Sequence, residues 1–430
     1  MRPAPRAQYA SPMRLLAPAL ALLAAAPAAA SAPDLFGYGA RGQALAGAIV
    51  SDPRDHAAVY YNPAALAFEV RPGVALGYQF AAFDLRIDGR AQATRDATAT
   101  VIGFDLPLPL GGPLAERVAL GGGFVIPTNS VLVADIPRPG EPTFALVANR
   151  AQTVTLQAAI GVRPLDDLAI GAGFIALSAL DGAIDVAPNA EGRIGSQARD
   201  QLVADYAPVF ALAARLPAGF AVGAVWRGES AARFELPITA DLGDRFPLPI
   251  PTLQIEGTAQ YDPAQLAGEV GWRRDAWRLA AGATWKRWSA FPAPIAYTAV
   301  PEGFPAQPGP GYDDAFEYRG GLEWTPSTEA VRFAARAGYQ FAASPAPEQR
   351  GLHALLDSDR HLVALGGGVA WDRLRLDVAV QWHHLVERSH RKDPAAIAAA
   401  GYDPKDHPGL PSLSHSGDIV GFAVELGVEL

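Results

Sequence analysis

Apolar and polar residues alternate with a period of two along much of this chain of 430 residues. In segment 373–383, leucine, valine and tryptophan occupy every second position, and charged or polar residues fill the positions between them except Ala379. Segments 331–341 and 277–285 follow the same pattern. Because successive side chains of a β-strand point to opposite faces, this pattern predicts strands with one apolar and one polar face. Such strands build either a soluble sandwich or a membrane-spanning barrel.

The connections between the predicted strands alternate in length, which favours the barrel. The predicted strands span residues 73–86, 94–110, 115–127, 147–163, 166–178, 202–216, 217–229, 263–274, 275–288, 311–325, 329–342, 359–371, 373–388 and 415–430. Tight turns alternate with longer connections at 128–146, 179–201, 230–262, 289–310, 343–358 and 389–414. Outer-membrane barrels place short turns at one end and long loops at the other, whereas a sandwich has no reason to sort its loops. We therefore predict an all-β fold in which residues 73–430 form a 14-stranded antiparallel transmembrane β-barrel.

The first 32 residues have the features of a secretory signal peptide. Three arginines precede an apolar core at 15–26, and small residues follow at 28–32. Pro18 and Pro27 flank a core that is too short to span a bilayer, so we predict that residues 1–32 are removed. The mature protein is then expected in the bacterial outer membrane.

Residues 33–72 differ from the rest because they show no sustained alternation. They combine small residues with short apolar patches, and Asn62-Pro63 is a turn signal. A compact segment of this size before a barrel suits an N-terminal hatch that plugs the lumen.

Composition and motifs argue against several other classes of protein. The net charge of -9 disfavours nucleic acid as a partner, and the absence of cysteine excludes thiolate metal sites. Gly37, Gly39 and Gly42 match a dinucleotide fingerprint in spacing but follow no strand. The neighbouring His383 and His384 would face opposite sides of a strand, so we predict no metal site. No catalytic residue and no cofactor is predicted, and the protein is not expected to be an enzyme.

The hatch segment resembles a known family. The stretch RGQALAGAIVSDPRDHAAVYYNPAALA is similar to the N-terminal hatch of the FadL/TodX-type outer-membrane transporters of long-chain fatty acids and aromatic hydrocarbons. Two further stretches, WKRWSAF and RFAARAGYQFAASPAP followed by LLDSDRHLVALGGGVAW, resemble the family in order and spacing. The positions that match the hatch motif, and that the resemblance implies in gating, are Gly42, Gly47, Asp52, Asn62, Pro63 and Ala64.

The resemblance implies a passive route for hydrophobic compounds such as long-chain fatty acids. Ligand is captured at the external loops, the hatch moves, and the ligand leaves sideways beside an inwardly kinked third strand. In this sequence the third strand contains Gly121, Gly122, Gly123 and then Pro127, which are residues that weaken a strand ladder. We therefore expect the kink there.

Some questions stay open at this point. Arg332, Arg336, Arg373 and Arg375 are candidate lumen cations by parity, but lumen arginines commonly pair with acidic residues. A general diffusion porin for polar solutes and an adhesin or phage-receptor barrel are the alternative functions. The expected partners are a hydrophobic ligand, outer-membrane lipid and lipopolysaccharide, and the barrel-assembly machinery, with the protein itself a monomer.

Overall fold

The computed structural model describes residues 32–69, 71–128, 140–148, 154–188, 194–240, 253–292, 295–297, 309–328 and 330–430. Except for Ala32, the predicted signal peptide lies outside the described residues. The described part contains fourteen barrel strands, numbered here in chain order. They are β1 Gly73–Ile87, β2 Ala97–Pro107, β3 Val118–Pro127, β4 Thr155–Leu165, β5 Leu168–Pro188, β6 Ile194–Arg215, β7 Phe220–Arg227, β8 Gln265–Arg274, β9 Trp277–Lys286, β10 Ala315–Trp324, β11 Val331–Ala342, β12 Arg360–Trp371, β13 Leu374–Arg391 and β14 Ser412–Glu429.

Each strand pairs antiparallel with its neighbours in sequence, and β14 closes the ring against β1. The closing ladder runs from Gly73 opposite Glu429 to Ile87 opposite His415 without a register shift. The predicted 14-stranded antiparallel barrel is therefore confirmed. We call the end with the short turns the turn end and the end with the long connections the loop end.

Two predicted connections were wrong. Strands β5 and β6 continue to Pro188 and from Ile194, where the connection 179–201 was expected. The expected connection 230–262 contains the hairpin Ser230–Ala240 and Leu253–Asp262, whose first strand also runs parallel beside β5. These segments form strands beyond the barrel wall because they satisfy one another's backbone hydrogen bonds there.

The two faces of the wall differ as the alternation predicts. On β13 and β14, the outward side chains are apolar and exposed, and they include Leu376, Val378, Val380, Trp382, Val420, Phe422 and Leu426. The inward side chains of the same strands include buried Asp377, Gln381 and Glu425. A closed barrel leaves no unpaired strand edge, so an apolar outer band of this kind suits a bilayer. Within the described residues, no helix has the length and apolar character needed to cross a membrane.

The N-terminal segment lies inside the barrel and has little regular structure. It forms the short helices Ala32–Phe36 and Ala40–Ala44, a 3₁₀ turn at Asp55–Ala57, the helical turn Ala58–Tyr61 and a 3₁₀ segment at Pro63–Phe68. Most of its residues are buried although none belongs to a strand. We call residues 32–69 the hatch.

Candidate functional site

Asn62 and its neighbours join the hatch to the wall. The fully buried Asn62 amide donates to the carbonyl oxygens of Val50, at 2.8 Å, and of Leu212 on β6, at 3.0 Å. Its side-chain oxygen accepts from the backbone nitrogen of Ala64, so that Asn62 caps the 3₁₀ segment that Pro63 begins. The Asn-Pro-Ala motif thus fixes a turn of the hatch and ties it to a strand.

Two hatch glycines stand where a side chain would not fit. A Cβ on Gly42 would lie 2.5 Å from the ring of Tyr61, so the helix Ala40–Ala44 can pack directly on that ring. Gly47 has a φ of +77°, in the left-handed region that favours glycine. Both positions therefore shape the hatch itself.

Asp52 faces the wall near the turn end. Its carboxylate contacts Arg273 on β8 at 2.8 Å and Arg278 on β9 at 3.7 Å. Burial raises the pKa of this carboxyl, but the charges of Arg54, Arg41 and Arg273 outweigh burial and lower it. Asp52 therefore stays ionised as one of several charged anchors of the hatch.

A four-residue cluster, which we call the latch, holds the hatch to β13 and β14. The guanidinium of Arg375 bonds to Asp55 of the hatch and contacts Glu425 at 3.2 Å. The ring of His56 lies between Asp55, 3.2 Å from Nδ1, and Glu425, 3.4 Å from Nε2. The wall comes this close because β2 has Gly103 at this point, where any Cβ would overlap the imidazole.

The charges of the latch give a pH dependence. Burial disfavours a charged imidazole, but Glu425 and Asp55 raise the pKa of His56 to about 10. Burial also disfavours the charged carboxylate of Asp55, but Arg375 and His56 hold its pKa below the ordinary 3.8. Because its pKa is raised, His56 stabilises the folded state fully below pH 6.5, and this stabilisation is lost as the pH rises through about 10. Because its pKa is lowered, Asp55 stabilises the folded state above pH 3.8, and this stabilisation is lost as the pH falls below that value.

We therefore expect the latch to be strongest between about pH 4 and 6.5 and to lose the contribution of His56 as the pH rises through about 10, while the bonds of Arg375 remain. Hydrogen exchange of hatch peptides, corrected for the intrinsic effect of pH, should accelerate on the alkaline side. His56→Gln should remove that alkaline acceleration while keeping the acidic one. An alkaline response that persists unchanged in His56→Gln would contradict this role.

Other anchors surround the hatch at different heights. The buried Arg41 donates a hydrogen bond to Glu323 on β10 at 2.8 Å, and Glu323 also accepts one from Arg336 at 2.9 Å. Nearer the loop end, the Nζ of Lys286 contacts Asp34 at 2.9 Å. The backbone and hydroxyl of Ser51 both donate to Glu269. The hatch is thus held by ionic and polar bonds from many sides of the wall.

The four candidate lumen cations fall into two pairs. Arg336 and Arg375 have side chains that are 5% and 27% exposed, and both contact Asp377. Arg332 and Arg373 are exposed at the turn end, and Arg332 lies 3.8 Å from Glu429. All four line a cavity of about 380 Å³ below the hatch, which also includes Arg41, Asp55, Glu69 and Asp105. This turn-end cavity is therefore strongly charged.

The third strand keeps its ladder through the three glycines. Residues 119–127 of β3 pair with β2, and residues 118–125 pair with β4, with no register shift in either ladder. Gly121 and Gly123 face the hatch, where a Cβ would overlap Leu66 and the Tyr38 hydroxyl, and a Cβ on Gly122 would overlap the ring of Phe104. Over these paired residues the ladder is unbroken, and the glycines make room for packed side chains. The kink and the lateral exit stay predictions.

Sequence reasoning did not identify the acidic partners of the hatch. Glu269, Glu323 and Glu425 all occupy inward positions of alternating strands, as the arginines do. Parity could have found them as a set. It could not say which of them meets which hatch residue, because the partners lie far apart in sequence.

An apolar interior lies between the hatch and the loop end. One buried cluster joins Phe36 of the hatch to Phe83 on β1, Leu385 on β13 and Ile419 on β14. A second, richer in aromatic rings, includes Tyr261, Trp288 and Tyr312. The loop side of the hatch thus carries two apolar clusters beside the ion pair of Lys286 and Asp34, whereas the cavity on its turn side is charged.

The part of the chain that the structure describes contains no metal-binding cluster. Among these residues, no group of three or more His, Asp or Glu side chains is arranged to hold a metal ion. His383 and His384, considered above, face opposite sides of β13: the first is buried, and the second contacts Asp418 at 3.0 Å.

These observations define the class: a closed β-barrel with an apolar exterior, plugged by its own N-terminal segment. Solved structures share this architecture across nearly their whole length. A FadL homologue of Pseudomonas aeruginosa is 15% identical with a TM-score of 0.59, covering 91% of this chain and 98% of the homologue. The toluene transporter TodX of P. putida is 16% identical with a TM-score of 0.56, covering 92% and 99%.

A third solved structure, the toluene transporter TbuX of Ralstonia pickettii, is 14% identical with a TM-score of 0.52, covering 92% of this chain and 99% of TbuX. No protein-family model and no curated protein matches the sequence. The chain thus has the fold of the FadL/TodX-type barrels, and the sequence resemblance is confirmed at the level of fold.

Proposed function

We propose that this protein is a passive transporter of hydrophobic compounds in the bacterial outer membrane. The observation that carries the proposal is the pair of buried apolar clusters on the loop side of the hatch, above a charged cavity on its turn side. A water-filled porin for polar solutes requires neither an apolar interior nor a plug. The solved barrels of the same fold include two named as toluene transporters, which supports a cargo of this class.

The physical basis of uptake is transfer of apolar surface from water into the apolar interior. Each buried methylene contributes about 0.8 kcal/mol, so a long acyl chain or an aromatic ring gains enough to bind without a catalytic group. A long-chain fatty acid or a related lipophilic molecule fits this interior. Movement of the hatch then releases the ligand.

We propose a lateral exit because the axial one is unfavourable. A ligand leaving through the turn end would pass the charged cavity that Asp55, Arg336 and Arg375 line. Apolar surface gains nothing there, and the passage would have to separate ion pairs that are largely buried, which is unfavourable. An opening in the wall beside β3 would lead instead into the bilayer.

Uptake assays test the function. Cells that lack their own transporters, and that express this protein, should accumulate labelled toluene or oleate faster than cells with an empty vector. Maltose serves as the polar solute. Uptake of maltose with no gain for either apolar compound would indicate a diffusion porin. No gain for any of the three would favour an adhesin or receptor barrel.

The same assay tests whether the hatch gates uptake. Asn62→Ala removes two bonds to carbonyl oxygens, and each buried group left unpaired costs about 1–3 kcal/mol. We expect Asn62→Ala combined with Pro63→Ala to lower uptake while the barrel still assembles, as judged by heat-dependent migration in gels. Unchanged uptake in the assembled variant would remove the gating role of this turn.

A further inference from the structure

Two segments at the loop end fold together over the apolar interior. Residues 140–148 lie between β3 and β4, and residues 343–358 lie between β11 and β12. The nitrogen of Thr143 donates to Ala354, and the nitrogen of Leu356 donates to Thr143, which joins the segments in a short parallel bridge. We call these two segments the cap.

The inner face of the cap carries apolar side chains that pack against the hatch cluster, beside buried polar groups such as Asp357. Phe144 and Leu356 are 2% and 0% exposed, and both belong to the cluster that contains Phe36 of the hatch. Leu385 and Ile419 of the wall complete the surroundings. Side chains of the cap thus occupy the space above the hatch that an apolar ligand would need.

Two cavities that the described residues form beside Phe36 are too small for such a ligand. Their volumes are about 30 Å³ and 10 Å³. A cavity of roughly 150 Å³ is of the size that binds benzene. A ligand can therefore occupy the space around Phe36 only if the wall, the hatch or the cap gives way.

The cap is the element that can leave with the least disruption. The wall is a continuous ladder, and buried ion pairs hold the hatch. The cap is held by side chains of β13, of β14 and of the connection between them. These side chains donate hydrogen bonds to backbone carbonyl oxygens of segment 343–358. These contacts are Arg388 with Ala346 at 2.7 Å, Lys392 with Gly351 at 3.1 Å, His407 with Leu352 at 2.9 Å and His415 with Asp357 at 3.1 Å.

Water can replace bonds of this kind when the cap moves outward as a unit, because each donor and each carbonyl regains a partner. The apolar inner face would be exposed by the same movement unless a ligand took its place. Displacement of the cap is therefore coupled to filling of the interior.

We propose that the cap is autoinhibitory: Phe144 and Leu356 occupy the ligand chamber, and an apolar ligand such as toluene enters by displacing them. The inference rests on the proposed function. The chamber is bounded by Phe36, Leu385 and Ile419, and the ligand competes with the resident side chains of the chain itself.

Leu356→Ala tests the competition. Removing the resident side chain should raise the initial rate of labelled toluene uptake by about threefold or more, since the apparent affinity rises as more of the protein is competent to bind. Leu177→Ala is the matched control, because Leu177 on β5 is also a fully buried leucine but lies outside the cap, the connection that holds it and the cluster around Phe36. Rates are compared at equal amounts of assembled barrel.

Equal rates for the two variants, with toluene uptake by the native protein, would overturn the cap proposal alone. No toluene or oleate uptake by any of the three proteins would overturn the proposed function with it. If Leu356→Ala fails to assemble, the native cap can be followed directly. The chain has no cysteine, so a spin label on Arg350→Cys reports one exposed position of the cap.

Toluene should raise the mobility of that label in the purified barrel and leave a label on Arg90→Cys, in the exposed turn after β1, unchanged. A label at position 350 that does not respond to saturating toluene would contradict displacement of the cap.

Discussion

Replacing Arg375 with methionine is expected to release the hatch from β13 and β14 and to open an ion path through the lumen. Arg375 contacts three carboxylates, those of Asp55, Asp377 and Glu425. Without it, Asp55 loses its main counter-charge and keeps only His56 among the described residues, whereas Asp377 keeps Arg336 and Glu425 keeps His56. Removing one partner of a buried ion pair costs about 3–5 kcal/mol, and because this guanidinium is partly exposed we expect about 3.

Planar-bilayer recordings measure the effect. The native barrel should pass little current because the hatch fills its lumen, and Arg375→Met should show frequent openings. Loss of the barrel itself would appear separately as loss of heat-dependent migration in gels.

Arg332→Met is the matched control. Arg332 also faces the turn-end cavity, but its side chain is 63% exposed and meets Glu429 only at 3.8 Å. An exposed pair of this kind contributes about 0–1 kcal/mol, so the current should stay near the native level. Equal currents in the two variants would show that the latch does not hold the hatch.

These two arginines show how much of the site could be predicted from the sequence. Strand parity identifies both as inward-facing, because a period of two depends only on local sequence. Their different roles depend on Asp55, which lies 320 residues from Arg375 and reaches it only when β14 has closed the barrel against β1. No local pattern encodes that approach.

The barrel wall was predictable for the same reason that the loop end was not. Alternation and turn length recur in every hairpin, so the strand number follows from local signals. Beyond the wall, the extension of β5 to Pro188 and the strand Ser230–Ala240 depend on strands that pair with one another away from the barrel. The cap likewise depends on the bridge between Thr143 and Leu355, which joins two distant connections.

The hatch motif was recognisable, but the surface that receives it was not. The Asn62-Pro63-Ala64 motif can be recognised from its residues. The wall surface that it contacts consists largely of glycines, which have no side chain to mark the site. Gly161 on β4 and Gly171 on β5 are direct register partners, and a Cβ on either would overlap the backbone near Pro63 and Ala64. Pairing the predicted strands 147–163 and 166–178 across their tight turn would have placed Gly161 opposite Leu168, because the actual ladder has a register shift between Val162 and Leu165.

Gly171→Ala should therefore displace the Asn62–Ala64 turn, although it adds only one methyl group. The new Cβ would overlap the backbone nitrogen of Ala64, and neither backbone can rotate away as a side chain can. Overpacking typically costs about 1–3 kcal/mol, and a contact between two backbones lies at the upper end. Because the Asn62 amide bonds to Leu212 on β6, the neighbour of β5, the same shift should also break that bond.

Hydrogen exchange measures this displacement. Peptides that cover residues 55–68 should exchange at least about tenfold faster in Gly171→Ala, which corresponds to a loss of about 1.4 kcal/mol in local stability. Gly268→Ala is the control, because a Cβ on that strand glycine would meet no atom within 4 Å. If the hatch peptides of Gly171→Ala stay as protected as those of Gly268→Ala, the hatch does not depend on a glycine-lined wall for its seating. Faster exchange confined to the hatch would show that these strand glycines act as its receptor.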